Sequence, residues 1–258
     1  MSTDQVVEER GDSREDHIVE MWTPLKLDID GDYTFIRFSP FFRAVSFFVY
    51  LFFCIIFTVW NTLFYRERVV GRENLKILRG KGFITVANHC HYLDTVMIAQ
   101  KLFPRTIYFP TAQRNFQVPF LRTLLRLLRS FPIPDHALGF KMILPPLGEA
   151  LRRNKIIHFF PEGDLWHLHQ GIDDTFKRGA FYLSHIHNVP VVPLVLEFSP
   201  MLFRGKPIGK NWITVRLHIG KPLYPEKPSE SEHHIDKSSV DRMIREANSW
   251  MKSVLRTA

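Results

Sequence analysis

The sequence predicts an α/β protein: a mostly parallel or mixed central sheet flanked by helices, preceded by an N-terminal membrane-embedded helical element. Three observations predict it. From residue 69 onward, short apolar runs alternate with helix-length amphipathic segments, the pattern of strands joined by helices. Some runs, such as Ile156 to Phe160, are apolar without alternation, as strands covered on both faces are. Between Ala44 and Tyr65 there is no charged residue at all.

The elements follow in chain order. Residues 1–32 hold ten Asp or Glu against Arg10, Arg14 and Lys26, a charge of −7 in a chain of +8, so the remainder carries +15. With no apolar period, residues 1–38 are expected to be an acidic, mobile tail. The uncharged run is 22 residues long, and its Phe47, Phe48, Phe52, Phe53, Phe57 and Phe64 belong to the densest Phe cluster of the chain. At about 1.5 Å per residue such a helix reaches across a hydrocarbon core of roughly 30 Å. Arg43 precedes it, Arg66 to Arg68 close it, and Trp60 and Tyr65 stand near its end, where interfacial aromatics lie. It starts too late and lacks the small-residue cleavage site of a signal peptide. Residues 39–66 are therefore expected to be membrane-embedded, by spanning or by a helical hairpin in one leaflet.

Beyond it, Val69-Val70 reads as a strand and Gly71-Arg72-Glu73-Asn74 as a turn. Strands are expected at 83–87, 106–109, 131–133, 156–160, 191–196 and 213–218, and helices at 91–102, 116–129, 139–153, 176–187 and 237–256. No linker divides residues 67–258, which read as one catalytic domain. Two cysteines exclude a disulfide framework and a thiolate zinc site. The strongly basic body suits phosphate, whether of nucleic acid, an anionic membrane surface or a phosphorylated substrate.

Two constellations carry chemistry. Asn88-His89-Cys90-His91-Tyr92-Leu93-Asp94 directly follows a buried strand, and strand carboxyl ends are where such sheets place their sites. On one continuous helix His89 and Asp94 would diverge. They meet only if His89 lies on the loop and Asp94 in the first helical turn. The carboxylate then fixes the imidazole tautomer and leaves the other ring nitrogen as a base. That is a triad without an enzyme nucleophile, so a substrate hydroxyl fills the role. A metal reading competes, because His89, His91 and Asp94 resemble the start of the H-x-H-x-D-H signature of metallo-β-lactamase-type hydrolases. Leu93 and Asp94 stand where that signature wants Asp and His, so its ligand set is incomplete and no metal is expected.

The second constellation is Phe159-Phe160-Pro161-Glu162-Gly163-Asp164 at another strand end. Pro161 stops the ladder, Gly163 permits close approach of backbone to a ligand, and Glu162 can face the same crevice as His89. Downstream, Phe176-Lys177-Arg178-Gly179 opens a helix whose cations and amides suit an anion.

Asn-His-x4-Asp, Phe-Pro-Glu-Gly, Phe-Lys-Arg-Gly and Val-Pro-Val-Val-Pro-Leu, in this order over residues 66–225, resemble the glycerolipid acyltransferase family, whose commonest members are lysophosphatidic acid acyltransferases. The resemblance implies an enzyme that moves a fatty acyl group from acyl-CoA or acyl carrier protein to the free hydroxyl of a lyso-glycerolipid, with lysophosphatidic acid as the leading acceptor. It implies His89 as general base, Asp94 as its partner, and Glu162 and Gly163 as acceptor-binding residues. It implies no cofactor beyond the thioester co-substrate, and the lipid bilayer rather than nucleic acid as partner. The protein is then membrane-bound with its site facing the cytoplasm, and residues 67–258 are the acyltransferase domain.

Two departures bear on the acceptor. The family's third block usually continues with a phosphate-contacting Arg, where this chain has Asp164-Leu165-Trp166. Its second block usually ends in another Arg, where this chain reads Pro134-Asp135-His136. Arg114, Lys177 and Arg178 remain as cations for an acceptor phosphate. Arg122, Arg126 and Arg129 share a helix face by spacing and are expected to meet anionic lipid head groups. An uncharged or amine-bearing lyso-lipid acceptor is the alternative, and a metal-dependent hydrolase a more distant one.

Overall fold

The computed structural model describes residues 33–134, 137–163, 165–167, 171–209, 212–226 and 236–256. The acidic segment 1–32 lies outside them. A 25-residue helix α1 (Pro40–Phe64) leads into strand β1 (Arg68–Val70) and a 3-10 segment, Arg72–Leu78. There follow β2 (Phe83–Ala87), α2 (Asp94–Leu102), β3 (Ile107–Ala112), a 3-10 turn Gln113–Phe116, α3 (Leu121–Leu127) and β4 (Ser130–Ile133). Next come α4 (Ala137–Arg152), β5 (Ile156–Phe159), α5 (Gly179–His187) and β6 (Val191–Pro200). A two-strand hairpin of β7 (Leu202–Phe203) and β8 (Lys206–Pro207), then β9 (Ile213–Ile219) and α6 (Lys237–Arg256), complete the order.

Seven strands form one sheet in the order β1-β9-β6-β2-β5-β3-β4. Every pair is parallel except β6 with β9, so the sheet is mixed. The central strands β2 and β5 are buried along their whole length, which explains their unbroken apolar sequence. Ile84, Val86, Ile157 and Phe159 point to one face, against residues of α4, α5 and α6 such as Leu147, Phe181 and Met251. Phe83, Ala87 and Ile156 point to the other, against Tyr50 of α1 and Met97 and Ile98 of α2.

Several differences from the sequence expectations have local causes. Residues 33–38, read as part of the tail, are packed, and Phe35 and Ile36 are buried in the core. The helix expected over 91–102 begins only at Asp94, because that carboxylate holds the preceding loop. The helix expected over 116–129 is broken: Pro119 disfavours helix at the residue before it, and Phe120 takes φ +62. The expected helix at 176–187 starts at Gly179. The hairpin of β7 and β8 is not among the expected elements. Its Arg204 and Gly205 both take positive φ, as two-residue hairpin turns require.

Helix α1 is one continuous helix rather than a hairpin, and it lies lengthwise on the domain. Ser46 Oγ donates to the Leu127 carbonyl at 2.7 Å, Tyr50 to the Ala99 carbonyl, and Thr58 Oγ1 to Gln100 Oε1. Ser46, Tyr50, Cys54 and Asn61 form the buried stripe, and Phe41, Phe48, Phe52, Ile55, Ile56, Val59 and Leu63 are exposed. At 3.6 residues per turn the two sets occupy opposite faces.

Candidate active site

The site forms where β2 and β5 end side by side. Beyond Ala87, Asn88 continues the pairing with its side chain. Its Nδ2 donates to the Leu196 carbonyl at 2.9 Å, and its Oδ1 accepts from the Leu196 N–H at 2.8 Å. The loop is thereby pinned to β6, and the next residue, His89, is presented at the edge of the sheet.

Asp94 is the first residue of α2 and wholly buried. Its Oδ2 accepts three hydrogen bonds, from His89 Nδ1 at 3.0 Å, from the Cys90 N–H at 2.7 Å and from the His91 N–H at 2.8 Å. The two backbone donors fix where the oxygen sits, so a neutral His89 must carry its proton on Nδ1 and keep Nε2 as an acceptor. The imidazole is 23% exposed and lies flat against Phe160, with ring centroids 4.0 Å apart. Behind Phe160, buried His158 bonds through Nδ1 to Thr85 Oγ1 at 2.8 Å. Burial, with some help from His89, drives the pKa of His158 down to about 3, so it stays neutral and adds no charge behind His89.

Glu162 locks the second strand end to the first. Its Oε2 accepts from the His89 N–H at 3.1 Å and its Oε1 from the Asp173 N–H at 3.2 Å. Burial raises its pKa, and those two amides offset only part of the rise. The Trp166 N–H donates to the His89 carbonyl. A cavity of about 260 Å³ opens among His89, Cys90, Glu162, Trp166, Gly171 and Asp173. Cys90 is not a second nucleophile. Its thiol is buried, and burial with Asp94 and Glu162 pushes its pKa well above the ordinary range.

The structure brings His89, Asp94, Glu162 and Gly163 together. Lys177 joins them: its N–H donates to the Pro161 carbonyl, and its side chain crosses Gly163. Arg178 does not. Its guanidinium pairs with Asp241 on α6 at 3.0 Å. Arg114 lies exposed just beyond the end of β3. Asp164, Asp135 and His136 lie outside the described residues. The expected basic helix face also dissolves. Arg122 donates to the Phe116 carbonyl, Arg126 to the Tyr33 hydroxyl, and Arg129 lies beyond the helix, buried with φ +67. His91 turns inward, where its Nδ1 accepts the Leu93 N–H and burial lowers its pKa. Among the described residues no three His, Cys, Asp or Glu side chains gather as metal ligands.

Gly163 takes φ +87, and a methyl group there would strike the Lys177 ammonium. Gly163→Ala is expected to cost about 1–3 kcal/mol from the left-handed backbone. Thermal unfolding should therefore come several degrees earlier, which a melting curve checks.

The sequence model of a family described as Acyltransferase matches residues 66–197, which span both strand ends. The 1-acyl-sn-glycerol-3-phosphate acyltransferase of Bacillus subtilis is 23% identical over 190 residues, covering 72% of this chain and 87% of that one. The Saccharomyces cerevisiae protein of the same name is 30% identical over 162 residues, covering 62% of this chain and 52% of its own. The crystal structure of PlsC from Thermotoga maritima, a 1-acyl-sn-glycerophosphate (LPA) acyltransferase, superposes with a TM-score of 0.55. It covers 84% of this chain and 78% of that one at 21% identity, a likeness of fold.

Proposed function

The chain belongs to the Acyltransferase family, and from that membership and the crevice geometry we propose that it converts lysophosphatidic acid to phosphatidic acid with acyl-CoA or acyl carrier protein as donor. The observation that carries the reading is the 3.0 Å contact between His89 Nδ1 and Asp94 Oδ2 at the end of β2. The names of the B. subtilis and yeast relatives support the acceptor.

The chemistry follows from the groups present. His89 Nε2 takes the proton of the acceptor hydroxyl as that oxygen attacks the thioester carbonyl carbon. Asp94 stabilises the imidazolium that forms. The tetrahedral intermediate collapses, the carbon–sulfur bond breaks, and the departing thiolate takes the proton back from His89. The N–H groups of residues 89, 90 and 91 are committed to Glu162 and Asp94. They hold the loop rather than the developing oxyanion. Glu162 therefore positions His89 through its N–H while lining the same cavity.

For the membrane we propose an in-plane attachment, with the crevice facing the cytoplasm. Helix α1 is bonded to the domain from Ser46 to Thr58. A helix tied down along its length is not free to cross a bilayer, whereas its exposed Phe and Ile face can sink into the headgroup boundary. Tyr65, just past its end, meets His91 at a ring distance of 5.6 Å. The lipid-facing helix thus ends beside the crevice, whose neighbours Tyr92 and Trp166 are also exposed.

The test is incubation of purified protein with labelled acyl-CoA and a panel of lyso-lipids, with products identified by mass spectrometry. Phosphatidic acid should dominate. Lys177→Ala should raise the KM for lysophosphatidic acid about ten-fold, the value of one charge-assisted hydrogen bond. Arg178→Ala, already paired with Asp241, should change it little. Preference for an uncharged or amine-bearing lyso-lipid, with KM indifferent to Lys177→Ala, would replace the phosphate acceptor in this reading.

A further inference from the structure

At the other end of the strands from His89, α1 begins over a cleft of about 470 Å³. Its walls include Arg37, Arg43, Arg129 and Lys155, together with Phe42 and Tyr108. Arg129 is only 7% exposed. Its guanidinium lies 4.1 Å over the Tyr50 ring and has no hydrogen-bond or ion-pair partner among the described residues. None of the ion pairs among the described residues involves Arg37, Arg43 or Lys155 either. Burial lowers the pKa of Lys155, and Arg43, Arg129, Arg105 and Arg153 lower it further. A buried, unpaired guanidinium facing other cations is costly unless an anion neutralises it. The first turn of α1 adds its own positive end.

We infer that this cleft binds the phosphate of an anionic phospholipid of the bilayer, its acyl chains lying along the exposed apolar face of α1. Phe47 and Phe48 also line the cleft, and the exposed face of α1 runs on from them through Phe52 and Ile55. A phosphate seated here therefore has a lipid-facing surface beside it. This lipid is not the one being acylated. Lys155 and Phe160 stand at opposite ends of β5, about 16 Å apart at 3.3 Å per residue. The phosphate and reacting hydroxyl of a lyso-glycerolipid are only a few bonds apart. The cleft is thus a second lipid site, one that holds the enzyme at anionic regions of the surface.

The experiment measures binding of the full chain to phosphatidylcholine vesicles with and without 10 mol% (about one lipid in ten) phosphatidic acid or phosphatidylglycerol. The wild type should gain affinity with either anionic lipid. Arg43→Gln/Lys155→Gln should lose about 25-fold of that gain, roughly five-fold per cation, with phosphatidylcholine binding, melting temperature and turnover in neutral detergent micelles unchanged. Arg129→Gln should lose at least about five-fold. Full gain retained in these variants would overturn the site. An equal loss from Arg66→Gln/Arg68→Gln, exposed at the other end of α1, would reduce it to diffuse surface charge and overturn it too. Abolition of the gain by millimolar inorganic phosphate or coenzyme A at constant ionic strength would assign the cleft to a soluble phosphate instead. Failure to bind phosphatidylcholine vesicles at all would count against the attachment of α1 and leaves the anionic gain to be read separately.

Discussion

His89→Ala should lower acyl transfer by about 10²–10⁴-fold, the usual cost of losing a general base. The loss should fall on kcat, because the imidazole acts on a proton that moves only in the transition state. Folding should survive. The loop is held by backbone and neighbouring side-chain contacts that the substitution leaves in place: Asn88 to Leu196, the residue-89 N–H to Glu162, and the Cys90 and His91 N–H groups to Asp94. A melting curve that matches the wild type beside an inactive enzyme is the expected pair of results. Near-normal turnover would remove His89 from the chemistry.

Asp94→Asn should lower kcat by about 10²-fold, at the gentler end of the same range. The reason lies in the three donors on Oδ2. In the variant the Cys90 and His91 N–H groups still call for an acceptor at that position, so the amide oxygen is held there and the His89 tautomer is kept. What disappears is the negative charge that steadies the imidazolium. Asp94→Ala also frees the two backbone donors inside a buried loop, an unsatisfied polar cost of roughly 1–3 kcal/mol each. It should therefore be both inactive and markedly less stable. Comparing kcat and melting temperature for the two variants separates the charge from the scaffold.

Much of this architecture is legible in the amino-acid sequence. Unalternating apolar runs mark β2 and β5 as central strands, and both lie in the middle of the sheet. The five-residue spacing of His89 and Asp94 requires a loop followed by a first helical turn, and α2 begins at Asp94. Other features depend on contacts between residues far apart in sequence. The pinning of the site loop needs Leu196, 108 residues from Asn88. Glu162 faces the crevice as its place at a strand end suggests, yet both its oxygens are taken by backbone amides. That occupancy is invisible in a four-residue motif. Arg178 reads as an acceptor ligand because it sits beside Lys177, but its partner is on α6. The spacing of Arg122, Arg126 and Arg129 assumes one helix, and the helix ends at Leu127. Arg129 instead turns beneath α1, where it lines the cationic cleft.

In the proposed mechanism the acceptor hydroxyl attacks the thioester directly, with His89 and Asp94 as its base and no acyl group carried on the protein. The most direct test mixes enzyme with a slight excess of radiolabelled acyl-CoA, first without acceptor and then with lysophosphatidic acid. Direct attack requires that no burst of free coenzyme A and no label on the protein appear in the first stage. On adding acceptor, coenzyme A and labelled phosphatidic acid should then appear in equal amounts. A stoichiometric burst of coenzyme A with label bound to the protein before any acceptor is present would instead establish an acyl-enzyme and overturn direct attack.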